Sequence, residues 1–210
     1  MSDSIPQPLR LAALLSGGGR TLLNLLDRIE DGSLSASIEI VIASRPCTGV
    51  DRVQSRGLPV SILAKSDFPD VDALHDAITR SIVEANIDLT LLCGYLRWIR
   101  VDPPLAGRVI NIHPALLPEF GGPGMYGQRV HRAVLAAGKR ESGCTVHQVD
   151  DQYDHGPVIL QRTCPVLSDD DEHTLAERVF AEECLAYPEA IRKFMNEYDP
   201  IRNSLDPLSP

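Results

Sequence analysis

Apolar residues in this chain come in short runs that alternate with stripes of helical spacing. Leu9–Leu15 (LRLAALL) reads as a first strand, and after the turn Ser16-Gly17-Gly18-Gly19 the segment Arg20–Ile29 places Leu22, Leu23, Leu25, Leu26 and Ile29 on one helical face. Ile38–Ala43 predicts a second strand, Asp51–Arg56 a short helix closed by Gly57, and Pro59–Leu63 a third strand. A helix over Val71–Ala85 carries Leu74, Ile78 and Ile82, and Asp88–Cys93 and Arg108–Ile112 follow as strands, the first almost wholly apolar and so central. Beyond a Pro- and Gly-rich loop from His113 to Tyr126 come a helix near Gln128–Ala137, a strand pair at Gly143–Val149 and Val158–Val166, and a last helix over Asp171–Asn196. That helix opens on an acidic run suited to the positive end of its dipole.

Strands alternating with helices predict an α/β fold: three layers, with a mostly parallel twisted sheet of about seven strands and helices on both faces. The reading assigns residues 1–198 to a single domain and 199–210, with its prolines, to an extended tail. Open sheets of this kind bind ligands beyond the carboxyl ends of their strands, which says where to look for chemistry.

Composition narrows the classes. The hydrophobic share of 43% and charged share of 23% are those of an ordinary globular chain, and no apolar run approaches a membrane span. The start MSDSIPQPLR is no secretory signal, so a cytoplasmic protein is expected. A formal net charge of −9 argues against nucleic acid and anionic lipid as partners, while leaving room for a local anion pocket. Five widely spaced cysteines without a CxxC pair predict free thiols rather than disulfides, and the six histidines show no metal-ligand spacing, so no metal is expected.

Two segments carry candidate chemistry. The SGGG turn sits between strand and helix, where backbone N–H groups and the helix dipole favour a phosphate; a tight structural turn is the alternative. The pattern is neither GxGxxG nor a P-loop. In VINIHPALLP, strand alternation puts Asn111 and His113 on one face at a strand's carboxyl end, and Pro114 turns the chain out. An amide that donates to an oxyanion beside an imidazole that moves protons near neutral pH suits acyl transfer; a pair that merely caps the loop is the alternative. Asp154, in the turn DDQYDHGP, is the carboxylate placed to orient His113.

The strings SGGGRTLLNLL, GYLRWI, NIHPALLP, GCTVH and YDHGPVILQ, in this order, resemble the phosphoribosylglycinamide formyltransferase family over about Leu9 to Phe194. The resemblance implies a formyltransferase fold and transfer of a formyl group from the cosubstrate 10-formyltetrahydrofolate to the amine of glycinamide ribonucleotide, in purine (IMP) biosynthesis, without a metal. It implies Asn111, His113 and Asp154 as catalytic residues, and Gly19, Arg20, Thr21 and Glu183 as ribonucleotide contacts. Leu96, Arg97, Trp98 and Ile99, with Asn111 and the loop Val149–Asp154, would hold the folate. Partners would be these small molecules, and the protein a monomer or homodimer. Three features depart from the family pattern: Thr21 stands for a common asparagine, the loop FGGPGMYGQRVH is longer, and Val71 replaces the folate-tail arginine, with Lys65 as a substitute. The longer loop is expected to be a ribonucleotide lid or a structural insertion. A 10-formyltetrahydrofolate hydrolase, which uses the same trio with water, is the nearest alternative; the short run before Leu9 weighs against its extra N-terminal domain. The acidic balance weighs against a transfer-RNA formyltransferase, and a non-catalytic nucleotide-binding module has no use for the trio.

Overall fold

The computed structural model describes the backbone of residues 8–202 and the side chains of residues 8–196. Seven strands form one sheet in the order β3-β2-β1-β4-β5-β6-β7. They are β1 (Leu9–Leu15), β2 (Ala36–Ala43), β3 (Val60–Ile62), β4 (Leu89–Leu92), β5 (Val109–His113), β6 (Glu141–Gln148) and β7 (Val158–Pro165). The first five pair in parallel, while β6 and β7 run antiparallel to their neighbours. Helices α1 (Arg20–Glu30), α2 (Thr48–Gln54), α3 (Val71–Glu84), α4 (Gln128–Ala136) and α5 (Glu172–Arg202) connect or follow them.

The sheet divides two apolar clusters, as the alternation along β1 requires. Leu9, Leu11, Ala13 and Leu15 pack with Leu22 and Leu25 of α1 and with Val179, Ala190 and Ile191 of α5. Ala12 and Leu14 point the other way, onto Leu74, Ile78 and Ile82 of α3. All four residues of β4 are buried, because both its faces are covered. Tyr187 of α5, 1% exposed, reaches through the first cluster with its hydroxyl 3.0 Å from the Ile110 carbonyl and 3.2 Å from that of Leu92. It fastens α5 beneath the ends of β4 and β5.

Two elements depart from expectation by three residues or more. The second helix begins at Thr48 rather than Asp51. The last helix runs to Arg202, so the division expected at 198, with a tail extended from 199, falls inside it. A helix already many turns long adds residues without a new nucleation cost, and the one N–H missing at Pro200 does not end it. The rest of the expected tail, 203–210, lies outside the described residues.

Strand order reverses direction between β1 and β4. Their following loops diverge there, leaving a crevice at the carboxyl ends of the strands. Ser16 ties the two loops together: its N–H donates to the Gly94 carbonyl at 3.1 Å, and its hydroxyl accepts from the Leu96 N–H at 2.9 Å.

Candidate active site

Strand β5 ends with Asn111 and His113 aimed into this crevice, and its antiparallel pairing with β6 sets Asn111 opposite His147. His147 Nδ1 lies 2.7 Å from the Gln148 carbonyl, which can only accept, so Nδ1 carries a hydrogen and Nε2 is the ring nitrogen left to accept. Asn111 Nδ2 donates to that Nε2 at 3.1 Å and to Asp154 Oδ1 at 3.4 Å. These contacts orient the amide with its nitrogen toward the cavity's acid. An incoming oxyanion would compete with the longer of the two bonds.

His113, 3% exposed, is held from both sides. Nε2 donates to the Phe120 carbonyl at 2.8 Å, and Nδ1 lies 3.4 Å from Asp154 Oδ2. With Nε2 protonated, a neutral ring would turn a bare Nδ1 toward a carboxylate. A proton on Nδ1 converts that repulsion into an N–H⁺···O⁻ contact, so the pair is arranged to take up and release a proton there. Burial lowers the His113 pKa from its ordinary value, against Asp154 and the Phe120 carbonyl, which raise it; His147 adds to the lowering. Asp154 is pushed up by burial, but its His147 and His113 neighbours and the Gly122 N–H, 3.0 Å away, outweigh this and leave it below the usual carboxylate value.

Phe120 (φ 56°) and Asp154 (φ 54°) both occupy the left-handed region, which side chains other than glycine rarely adopt. The backbone at 120–122 thus meets both partners: it accepts from His113 and donates to Asp154. Strain at two residues facing one another across a cluster of buried polar groups marks a constellation that the surrounding structure holds in place.

At the other end of the crevice lies the glycine turn. Among the described residues, no protein acceptor meets the N–H groups of Gly17, Gly18, Gly19, Arg20 and Thr21. Such a row of bare donors at a helix start is an anion cradle. Arg20 pairs with Glu177 through two contacts of 2.6 Å, its guanidinium stacked 3.9 Å from the centre of the Phe180 ring. Glu183 faces the same space, its pKa pushed up to about 7 by burial against the lowering effect of Arg20.

One cavity of about 480 Å³ joins the two ends. Most residues anticipated from the sequence border it: Gly19, Arg20, Thr21 and Glu183 at one end, Asn111, His113 and Asp154 at the other, and Leu96, Arg97, Trp98 and Ile99 along a wall. Val149, Asp150, Gln152 and Tyr153 face that wall, and the Trp98 indole N–H donates to the Asp151 carbonyl at 3.1 Å, fastening the two segments. Pro123–Gly127 of the long loop close a further side. Lys65 is not among the lining residues; it sits in a single 3-10 turn at Lys65–Asp67. The residue that the sequence reading passed over is His147. Its signal was present in the alternation of GCTVH, which turns Cys144 and Val146 to the apolar cluster and His147 the other way.

An oriented amide, an imidazole–carboxylate pair sharing a proton and a separate anion cradle are the means of acyl transfer to a small anionic substrate. The comparisons with known proteins agree. The formyl transferase family profile matches residues 9–191. The chloroplastic phosphoribosylglycinamide formyltransferase of Arabidopsis thaliana is 36% identical over 200 residues, covering 93% of this chain and 68% of that protein. The human trifunctional purine biosynthetic protein adenosine-3 is 34% identical over 188 residues, 87% of this chain but only 18% of its own length. The crystal structure of glycinamide ribonucleotide transformylase 1 from Symbiobacterium toebii superposes with a TM-score of 0.84 at 34% identity, covering 92% of this chain and 90% of that one. The chain belongs to the formyl transferase family, and it is a formyltransferase enzyme.

Proposed function

We infer that this enzyme moves the formyl group of 10-formyltetrahydrofolate to the amine of glycinamide ribonucleotide, within purine biosynthesis. The observation that carries the reading is one cavity with bare backbone donors for a phosphate at one end and the Asn111–His113–Asp154 group at the other. Gly19, Arg20, Thr21 and Glu183 would receive the ribonucleotide. The apolar wall of Leu96, Trp98 and Ile99, faced by Val149 and Tyr153, suits a flat heteroaromatic ring, and Arg97 lies at the same wall. The bound folate supplies an activated formyl carbon. Asn111 then donates to the oxygen that becomes negative as the amine adds, and the Nδ1 proton of His113 passes to the departing nitrogen. Asp154 accepts from the Nδ1–H of His113 when the ring is charged, against the burial that disfavours that form, and takes the amine's proton through water. No metal enters this scheme, and the chemistry suits the cytoplasm, where both substrates are small soluble metabolites.

The test is direct. Purified protein is mixed with both substrates and tetrahydrofolate release is followed by absorbance. Release that depends on the ribonucleotide supports the transferase; release without it favours the hydrolase; no release with either favours a binding module.

A further inference from the structure

The glycine turn owes its shape to residues outside the cavity. Five consecutive carbonyls are each taken by a donor: Leu15 by the Ser44 N–H at 3.0 Å, Gly17 by the Gly49 N–H at 3.0 Å, and Gly19 by the Leu23 N–H at 2.9 Å. The two between are taken by side chains. Arg45 Nε donates to the Ser16 carbonyl at 3.0 Å, and an Arg52 guanidinium nitrogen to the Gly18 carbonyl at 2.9 Å. Four of these five donors come from the end of β2 and from α2.

Peptide planarity gives the pattern its meaning. In a trans peptide the C=O of one residue and the N–H of the next point in opposite directions. Holding the carbonyls of Ser16, Gly17 and Gly18 on the outer side therefore turns the N–H groups of Gly17, Gly18 and Gly19 inward together. Glycines have the conformational freedom to leave that arrangement, so something must hold it. Two further facts favour an anion as the reason. Among the described residues, neither Arg45 nor Arg52 has a carboxylate within ion-pair distance, although the chain carries a net charge of −9. Neither lines the cavity.

We propose that Arg45 and Arg52 are positioning residues for the phosphate of the ribonucleotide: they do not touch it, but aim the turn's N–H groups at it and back them with two uncompensated positive charges. This rests on the ribonucleotide reading above. The test is steady-state kinetics of Arg45→Ala, Arg52→Ala and the double variant, with Arg52→Lys as a conservative control. Losing one exposed, charged donor is worth about a fivefold rise in KM for the ribonucleotide, and losing both about 20-fold. The kcat and the KM for the folate stay within twofold of wild type, and Arg52→Lys recovers most of the loss. Inorganic phosphate, used as a competitive inhibitor, weakens in parallel.

A ribonucleotide KM within twofold of wild type in the double variant overturns the proposal, as does a fall in kcat at constant KM, which would indicate a merely structural role. Should a variant unfold, Arg52→Met and Arg52→Lys in the same assay give the answer. A wild-type enzyme that releases no tetrahydrofolate would instead refute the ribonucleotide reading. Calorimetric titration with inorganic phosphate, wild type against the double variant, would then test the cradle alone, equal affinities counting against it.

Discussion

Replacing Asp154 with asparagine removes one charge and little volume from a side chain only 10% exposed. Its carboxylate lies 3.4 Å from His113 Nδ1. At an effective dielectric of about 20, opposite charges at such a distance attract by about 5 kcal/mol. The Gly122 N–H and the Asn111 amide share the carboxylate, so only part of this reaches the ring; a drop of about one to two pH units in His113 ionisation is the expected remainder. The direction follows from the pair. Burial already lowers the His113 pKa, the carboxylate opposes that, and Asp154→Asn removes the opposition. If the protonated ring delivers the proton to the leaving nitrogen, the alkaline limb of the kcat profile moves to lower pH by about one to two units. The rate near pH 7.5 falls by about 100- to 10,000-fold, the range of a lost general acid. The ribonucleotide KM stays within a few-fold, since Asp154 does not touch the glycine turn. A variant pH profile of tetrahydrofolate release that overlays the wild-type profile after scaling would refute the proton-sharing argument.

Three further outcomes follow from other contacts. Glu177→Gln should lower the ribonucleotide KM about two- to fourfold, because a phosphate no longer has to displace a half-exposed ion pair worth under about 1 kcal/mol; an unchanged KM would mean that Arg20 takes no part in binding. Gly49→Ala places a methyl 2.4 Å from the Gly17 carbonyl oxygen and 3.0 Å from the Gly19 nitrogen, so it should cost about 1–3 kcal/mol in urea unfolding and raise the ribonucleotide KM; wild-type values of both would contradict the packing described. Buried His131 and half-buried Glu183 give opposite pH dependences of stability. His131 has its pKa lowered to about 4 by burial, with the nearby His113 adding to the lowering, so its contribution is full above about pH 6.5 and lost as pH falls toward 4. Glu183, raised to about 7, contributes fully below about pH 4.5 and loses this as pH rises through 7. Each amounts to about 3 kcal/mol and they offset in the wild type. Going from pH 7 to pH 5, His131→Phe should therefore gain stability and Glu183→Gln should lose it, read from urea midpoints; wild-type behaviour in both would show these assignments to be wrong.

The parallel half of the sheet was legible because apolar strands alternate with amphipathic helices, and Asn111 and His113 shared a face by alternation alone. What escaped was whatever depends on register or on backbone. His147 stands 36 residues from Asn111 in sequence, and only the β5–β6 pairing, with an irregularity at Val146/His147 in the next ladder, brings them together. The Phe120 carbonyl and the Gly122 N–H belong to every residue type and leave no trace in a side-chain motif. Arg45 and Arg52 carry no signal in the sequence, since nothing in their neighbours' identities tells that their acceptors are carbonyls of a distant turn. The long loop stands out in the sequence by its length, yet its root matters as much: residues 120–122 hold His113 and Asp154, while Gly122, Gly124 and Gly127 supply the positive φ angles that carry the chain on to α4.

Both ends of the cavity are thus organised through main chain held from behind, and this bears on the departure at Thr21. If phosphate recognition rested on the side chain at position 21, replacing the family's common asparagine would remove a contact and weaken binding. Here the donors that face the cavity are peptide N–H groups of residues 17–21; those of 17–19 are oriented by carbonyls pinned from the end of β2 and from α2, and those of 20 and 21 by the first turn of α1. Changing the side chain at 21 leaves those peptide planes where they are. The side chain at 20 can then vary as well, and an arginine there adds a cation that Glu177 and Phe180 hold beside the cradle. If the positioning proposal holds, substitution at position 20 or 21 should cost less ribonucleotide affinity than substitution at Arg45, Gly49 or Arg52, whose groups hold the turn from about 30 residues away.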